Sequence, residues 1–145
     1  MKISGSYTVP APRERAYQLL QDPGILAKCM PGTDQLHKLA EDEYDMKMKV
    51  VIASIGGQFG GKVRLEDQHP PESFKLIVEG SGKIGFLKGE GLLNLAANGD
   101  LTEVSFDGEV QVGGTIASVG QRLLDTTAKL IIKKFFQKLS EVANN

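Results

Sequence analysis

The feature that most restricts the fold is a succession of strand-like segments joined by very short turns. Apolar and polar residues alternate in six runs, at 33–40, 43–54, 57–67, 72–82, 86–97 and 100–112. A period of two is typical of strands buried on one face. Turn-forming residues interrupt the runs at Glu41-Asp42, Gly56-Gly57, Pro70-Pro71 and Asn98-Gly99-Asp100. Because parallel strands need crossovers of a dozen residues or more, these short breaks predict an antiparallel sheet.

The segments on either side of these runs complete the fold prediction. Residues 2–9 alternate as a further strand, and proline and capping signals predict two short helices, over 12–20 and from Asp22-Pro23 to about Lys28. Between 115 and 143 the apolar residues recur at helical steps, which predicts one long helix. Only that helix is large enough to cover the sheet. We therefore predict a single α+β domain over 1–145, with a curved seven-stranded antiparallel sheet wrapped around the C-terminal helix.

Composition and charge exclude several classes of function. Seventeen Lys and Arg against eighteen Asp and Glu leave a net charge of −1, whereas a nucleic-acid-binding protein is normally basic. The first residues lack the apolar segment of a signal peptide, and no apolar run reaches the ~18 residues of a membrane span. We expect a cytoplasmic protein that does not bind nucleic acid and has at most peripheral contact with the inner face of the membrane.

Two glycine motifs and two histidines do not indicate a cofactor or metal site. Residues 80–85 match GxGxxG, but the dinucleotide fingerprint opens a helix, and here another strand follows. Residues 56–62 match GxxxxGK, but Val63 replaces the hydroxyl residue that binds magnesium. His37 and His69, with a single cysteine, do not complete a zinc site. We expect neither a cofactor nor a metal.

Because side chains alternate between the two faces of a strand, the apolar positions show which residues face inward. This inward face has an unusual composition. In the N-terminal strand and the five runs from 43 to 112 it holds no Asp, Glu, His, Lys or Arg, so it lacks the groups that acid–base catalysis needs. Six inward positions are glycine, at 5, 61, 80, 89, 91 and 108. The glycines either let the sheet bend or leave room for a ligand, and the two interpretations are compatible.

The predicted ligand is a hydrophobic small molecule held between sheet and helix. Phe and Met walls with few polar groups suit such a ligand. The residues predicted to contact it are Met46, Met48, Phe59, Phe74, Leu93, Phe106, Leu123, Leu124 and Ile131.

The C-terminal helix also carries a basic face. Five basic residues against Asp125 and Glu141 make it locally cationic. The candidate surface consists of Lys129, Ile132, Lys133 and Phe136. It is either an ordinary solvated face or a docking surface for an anionic membrane or a partner protein.

Several segments together resemble one family. They are SGSYTVPAPRERAY (4–17), CMPG (29–32), FGGKVRLED (59–67), PPESFKL (70–76), GFLKGEGLLNL (85–95) and VQVGGTIASVGQRLLD (110–125). Their order and spacing resemble the G subunit of carbon monoxide dehydrogenase, in the START-related (SRPBCC) helix-grip superfamily. The resemblance implies a helix-grip fold with a hydrophobic cavity, and an association with molybdenum-containing dehydrogenases through membrane recruitment or quinone carriage. Many members continue into an apolar C-terminal tail, which this sequence lacks, so we expect no self-inserting anchor.

Three functional hypotheses follow from the residues and the resemblance. The leading one is a non-catalytic carrier of a quinone or lipid-like molecule, accessory to a molybdenum-containing enzyme. The second is an assembly or recruitment adaptor for that enzyme, with the basic helix face as the contact. The third is an enzyme of the cyclase or dehydratase kind, which would need Tyr7, Tyr44 or Cys29 inside the cavity.

Overall fold

Seven strands form one antiparallel sheet in the order β1-β7-β6-β5-β4-β3-β2 in the computed structural model, which describes residues 1–144. The elements are β1 (Lys2–Val9), α1 (Arg13–Gln21), α2 (Pro23–Cys29), β2 (His37–Ala40), β3 (Glu43–Ile52), β4 (Ile55–His69), β5 (Ser73–Gly82), β6 (Gly85–Asn98), β7 (Leu101–Gly113) and α3 (Gln121–Ala143). The predicted α+β architecture, with two short helices after the first strand and a long helix at the end, is confirmed.

The hairpin turns agree with the sequence at all but one of the predicted places. Asn98 pairs with Leu101 across a two-residue turn in which Gly99 has φ +64°, as the Asn98-Gly99-Asp100 signal predicts. The turn predicted at Gly56-Gly57 is wrong. Strand pairing continues through both glycines to Ile52 and Ile55, so the chain reverses at Ala53-Ser54 instead.

The first predicted central strand is also shorter than expected. Only the last four residues of the run 33–40 form β2, and Thr33 makes a separate bridge to Met48. A register shift between Lys38 and Ala40 further interrupts this edge of the sheet.

The two short helices meet at Asp22. Its carboxylate accepts hydrogen bonds from the backbone N–H groups of Gly24 (2.8 Å) and Ile25 (3.3 Å) at the start of α2. Its own N–H donates to the carbonyl of Leu19 at the end of α1. One residue therefore ends one helix and caps the next, as the Asp-Pro signal indicates.

The long helix begins later than its apolar periodicity predicts. Residues Thr115–Val119 form a 3₁₀ turn, and α3 starts only at Gln121. Gly114 (φ +84°) and Gly120 (φ +99°) both adopt left-handed backbone, which interrupts a continuous α-helix. The Ile116 N–H donates to the Ile84 carbonyl at 2.7 Å, so the 3₁₀ turn is fastened to the β5–β6 hairpin. The prediction of one helix over 115–143 is therefore wrong for residues 115–120, which form the 3₁₀ turn and the break before α3.

Two apolar clusters fill the space at opposite ends of the sheet. One joins α1 and the C-terminal half of α3 to the strands and includes Phe74, Val104 and Leu139. The other surrounds Phe59 and Ile116 near the 3₁₀ turn. Between these clusters the sheet and α3 do not meet completely.

Candidate ligand-binding cavity

A cavity of about 270 Å³, partly open to solvent, lies between the sheet and α3. The sheet contributes the residues Ile3, Met48, Phe74, Leu76, Val78, Leu87, Gly89, Glu90, Gly91, Leu93, Phe106, Gly108 and Val110. The helices, with the residue that directly follows α2, contribute Leu20, Leu26, Met30, Ala128, Ile131, Ile132, Phe135 and Phe136. With one exception the lining residues are apolar or glycine.

The exception, Glu90, does not direct its charge into the cavity. It belongs to the outward parity of β6, its side chain is 60% exposed, and it lies 3.7 Å from the Lys75 ammonium in an ion pair. Among residues 1–144, no ionisable side chain lines the inner wall of the cavity. A guest would therefore meet a wall without charge.

Three of the six inward glycines create part of this space. Gly89, Gly91 and Gly108 line the cavity. A Cβ added to Gly91 would make only ordinary contacts, the nearest at 3.7 Å from the Asp107 carbonyl oxygen, so a larger side chain there would project into open space. The absence of a side chain at Gly91 therefore keeps volume free.

Close backbone approach accounts for other inward glycines. A Cβ on Gly61 would lie 1.7 Å from the Glu79 carbonyl oxygen, and one on Gly108 would lie 2.5 Å from that of Glu90. Gly61 faces Gly80 in the register. Gly108 therefore lines the cavity and also permits the close approach of β6 and β7, so free volume explains only part of the set of inward glycines.

Five of the nine predicted contact residues line the cavity. They are Met48, Phe74, Leu93, Phe106 and Ile131. Met46 and Phe59 are each 1% exposed and lie in packed interior rather than at the cavity wall. Leu124 packs against the cluster around Ile116.

Leu123 is placed wrongly by the prediction, because it is 37% exposed and does not line the cavity. Leu123 lies nine residues before Ile132, and so about 180° around the axis of α3 from that cavity residue.

Two residues assigned to the basic surface belong to the cavity instead. Ile132 and Phe136 both line it, and Phe136 is only 4% exposed. The sheet lies on one side of α3 and the short helices on another, so the buried arc of α3 is wider than a single stripe. Adjacent positions such as Phe135 and Phe136 can then both face inward. Lys133 is exposed, as predicted for the outer side of the helix.

The short helices supply cavity residues that the sequence analysis did not assign to the site. Leu20, Leu26 and Met30 close one end of the space. Leu20 carries a sequence signal, because it lies on the apolar side of α1. Nothing in the local pattern of Leu26 or Met30 indicates that this end of the molecule faces a cavity.

Aromatic rings form a layered wall at the β1 side of the cavity. The rings of Tyr7 and Phe136 are stacked, with centroids 4.6 Å apart and planes 9° apart. Phe106 lies nearly parallel to both, with its centroid 6.1 Å from each. Such a wall offers flat apolar surface to a guest.

The three residues considered for catalysis are not part of the lining of the cavity. Tyr7 is stacked on Phe136 and is absent from the lining, and Tyr44 is buried in the core. Cys29 is 3% exposed, and burial raises the pKa of its thiol, an effect opposed by Lys138 and Lys28. A buried, protonated thiol is a poor nucleophile.

The outer side of α3 remains basic. It carries Lys129, Lys133 and Lys134, and Leu130 among them is 48% exposed. Within residues 1–144, every helix is too short or too polar to span a bilayer.

Several solved structures share this fold. A conserved protein from Geobacillus kaustophilus is 33% identical and superposes with a TM-score of 0.95, over 99% of this chain and 95% of that one. A START superfamily protein from Mycobacterium smegmatis is 16% identical, with a TM-score of 0.72 over 99% and 97% of the two chains. The Zhui aromatase/cyclase from a Streptomyces species is 13% identical, with a TM-score of 0.69 over 99% and 93%.

The last two similarities concern the fold alone. No curated protein sequence matches the chain. The model of the CoxG family, the G subunit of carbon monoxide dehydrogenase, matches residues 5–144. The chain therefore belongs to the CoxG family of carbon monoxide dehydrogenase subunits.

Proposed function

We propose that this protein binds a hydrophobic small molecule, quinone or lipid-like, in the cavity between sheet and α3, and that it does so without catalysis. The observation that carries the proposal is the uncharged apolar wall around an unfilled volume of about 270 Å³. Catalysis would require a titratable group beside the guest, and the inner wall among residues 1–144 offers none.

The size of the cavity limits how much of a guest it can enclose. Small-molecule sites typically measure roughly 300–1,000 Å³. A volume of about 270 Å³ holds a ring system or part of a chain. The remainder of a longer molecule would extend through the opening.

The wall also limits the polarity of the enclosed part. A buried carbonyl or hydroxyl without a hydrogen-bond partner costs about 1–3 kcal/mol by protein mutational data. The side chains of the cavity wall provide no donor for such a group. The enclosed portion is therefore hydrocarbon or aromatic, and any oxygen atoms of the guest lie near the opening.

The direct test is binding of defined guests to purified protein. We expect native mass spectrometry and thermal-shift measurements to detect a decyl-substituted quinone and a fatty acid of similar length. A charged, water-soluble quinone without an alkyl chain should give no shift. Absence of binding by all apolar guests would contradict the proposal.

Adjacent residues of α3 provide a matched pair of variants. Ile131 lines the cavity, whereas Leu130 is 48% exposed on the outer side of the helix. Ile131→Asn places an amide in the apolar wall and should weaken guest binding at least tenfold. Leu130→Asn makes a comparable change without reaching the cavity and should bind normally. Equal affinity in the two variants would place the guest elsewhere.

A second role, as an adaptor, rests on family membership and on the basic surface of α3. The proposed partner is a molybdenum-containing carbon monoxide dehydrogenase. The contact surface is Lys129, Leu130, Lys133 and Lys134, with Ile132 and Phe136 removed from the surface predicted from sequence because they face the cavity. An anionic membrane is the other surface that these lysines suit.

Charge reversal tests the adaptor role separately from ligand binding. The triple variant Lys129→Glu, Lys133→Glu and Lys134→Glu should lose retention on the immobilised dehydrogenase, yet keep its thermal shift with the decyl quinone. Lys47→Glu, Lys49→Glu and Lys88→Glu, on the outer face of the sheet, form the control. Unchanged retention of the α3 variant would exclude this surface.

A further inference from the structure

The sheet is open, and its two edges differ in how they are protected. The edge strand β2 has four residues and a register shift, and Lys38 on it forms an ion pair with Glu41 at 3.2 Å. Short length, irregularity and charge are the usual means by which proteins prevent an edge strand from pairing with another chain. β1 has eight residues, pairs with β7 in unbroken register, and contains neither proline nor a bulge.

The free hydrogen-bonding groups of β1 can be assigned from its pairing with β7. Met1 and Val110 exchange two backbone hydrogen bonds, of 3.0 and 2.8 Å. Because antiparallel pairing alternates, the odd residues of β1 bond to β7 and the even ones direct N–H and C=O away from it. Ser4, Gly5 and Ser6 are exposed, so this outer row is accessible.

The sequence of β1 is complementary to itself about Gly5. In an antiparallel pair centred there, Lys2 lies opposite Thr8 of the second copy, and Ser4 lies opposite Ser6. This register joins even residues to even residues and forms about eight backbone hydrogen bonds. Gly5 meets Gly5 at the symmetry axis, where no side chain separates the strands.

Both faces of that pair are compatible. On the inner face Ile3, which is only half-buried, meets Tyr7 of the second copy, also half-buried. On the outer face the Lys2 ammonium approaches Glu103 of the second copy, a carboxylate already held beside Thr8 by a hydrogen bond of 2.8 Å. Hydrogen bonds from Ser6 and Thr8 lower the pKa of Glu103, so it is charged at neutral pH.

We infer that two copies of this chain associate through antiparallel pairing of β1 with β1, centred on Gly5, to form one continuous sheet. A single pair of strands buries less surface than the ~1,200–2,000 Å² typical of stable interfaces. The dimer therefore dissociates on dilution. Association through β1 does not depend on what the cavity binds.

Sedimentation equilibrium of the full chain over a wide concentration range is the first test. We expect a reversible monomer–dimer equilibrium. Ser4→Pro removes a donor that faces away from β7 and should weaken the dimer at least tenfold while the circular dichroism and Tm stay native. A monomer at every concentration, whether because the edge stays free or because it accepts a strand of another protein, would overturn the inference. A dimer unaffected by Ser4→Pro would also overturn it.

Cysteine cross-linking tests the register. Opposed residues of a hydrogen-bonded pair have Cα atoms ~5.5 Å apart, within the range of a disulfide. Ser4→Cys mixed with Ser6→Cys should form a disulfide heterodimer much faster than either variant alone, with the parent chain and its buried Cys29 as control. Equal rates in the mixture and in the separate variants would overturn the pairing about Gly5.

A charge exchange tests the outer contact. Lys2→Glu should weaken the dimer about threefold or more, and addition of Glu103→Lys should restore it. Failure of the second substitution to recover association would refute the Lys2–Glu103 contact.

Discussion

At the scale of single residues, neighbouring glycines of β4 have opposite requirements. Gly60 faces outward, and a Cβ built on it would have no atom within 4 Å. Gly61 faces inward, where a Cβ would collide with the Glu79 carbonyl oxygen. Identical residues one position apart are therefore present for different reasons, and only Gly61 is required by the backbone of the next strand.

This contrast predicts the effect of adding one methyl group. Gly61→Ala should lower the free energy of unfolding by about 1–3 kcal/mol, because backbone must move to admit the Cβ. Gly60→Ala should change it little. Urea unfolding of the two variants measures the difference, and equal stabilities would contradict the proposed close approach.

A second residue-scale prediction concerns pH and Cys29. Burial raises the pKa of the Cys29 thiol in the native state. As pH rises above ~8.5, the ordinary pKa of a cysteine, the thiol therefore ionises first in the unfolded state. The unfolded state then binds fewer protons than the native state, so stability decreases with increasing pH. That loss continues until pH reaches the raised native pKa.

Cys29→Ala removes this contribution. As pH rises above about 8.5, we expect the urea midpoint of the parent chain to fall more steeply than that of the variant. Burial also raises the pKa of Tyr17, so part of the alkaline loss should remain in both proteins. Parallel pH profiles would exclude Cys29 as a contributor.

At the scale of elements, the cavity depends on where the helices begin and end. Asp22 ends α1 and caps α2, and these helices, with the residue that follows them, carry the cavity residues Leu20, Leu26 and Met30. Gly120 precedes the first residue of α3, the helix that carries five further cavity residues. The position of the cavity is thus determined by helix ends as well as by the sheet.

The capping role of Asp22 can be tested by two substitutions. Asp22→Ala should cost about 1 kcal/mol in unfolding free energy, because the N–H groups of Gly24 and Ile25 lose their acceptor. Asp22→Asn retains an oxygen acceptor and should stay close to the parent chain. Thermal unfolding compares the three proteins, and an Asn variant as unstable as the Ala variant would argue against capping.

At the scale of the whole molecule, the interior is divided between packed regions and a space. Phe59 and Phe74, each 1% exposed, belong to separate apolar clusters, whereas Leu76 and Val78 on the same sheet remain half-buried at the cavity. A protein selected only for stability would fill such a volume, because an apolar void forfeits contacts.

Filling the cavity should therefore stabilise the protein and impair its binding. Gly91→Val places two methyl groups in open space and favours extended backbone, so we expect Tm to rise by a few degrees and the thermal shift with an apolar guest to disappear. Gly60→Val makes the same change on the outer face. It should retain the guest-induced shift, and equal shifts in both variants would contradict the assigned site.

The extent of prediction differed between the fold and the site. Period-two alternation and short turns were sufficient for the antiparallel sheet, because each depends on neighbours within a few residues. The Gly56-Gly57 turn failed, because glycine is compatible with both a turn and a strand, and cross-strand pairing with Val50 and Val51 decided in favour of the strand.

Sequence reasoning identified cavity residues only where a single element determines which of its side chains face inward. Alternation along the strands assigned Met48, Phe74, Leu93 and Phe106 to the inner face, since parity is a local property. Ile132 and Phe136 were misassigned because the buried arc of a helix is set by everything that packs around it. Met30 was missed because only the folded chain brings the end of α2 to the cavity.

By itself, the sequence determined the kinds of element, their order and the apolar character of the inner face, since these follow from backbone preference and from which side chains avoid water. The tertiary structure alone decided where that face is filled and where it is empty. The volume of the cavity depends on how far α3 lies from the sheet. The local sequence of neither element determines that distance.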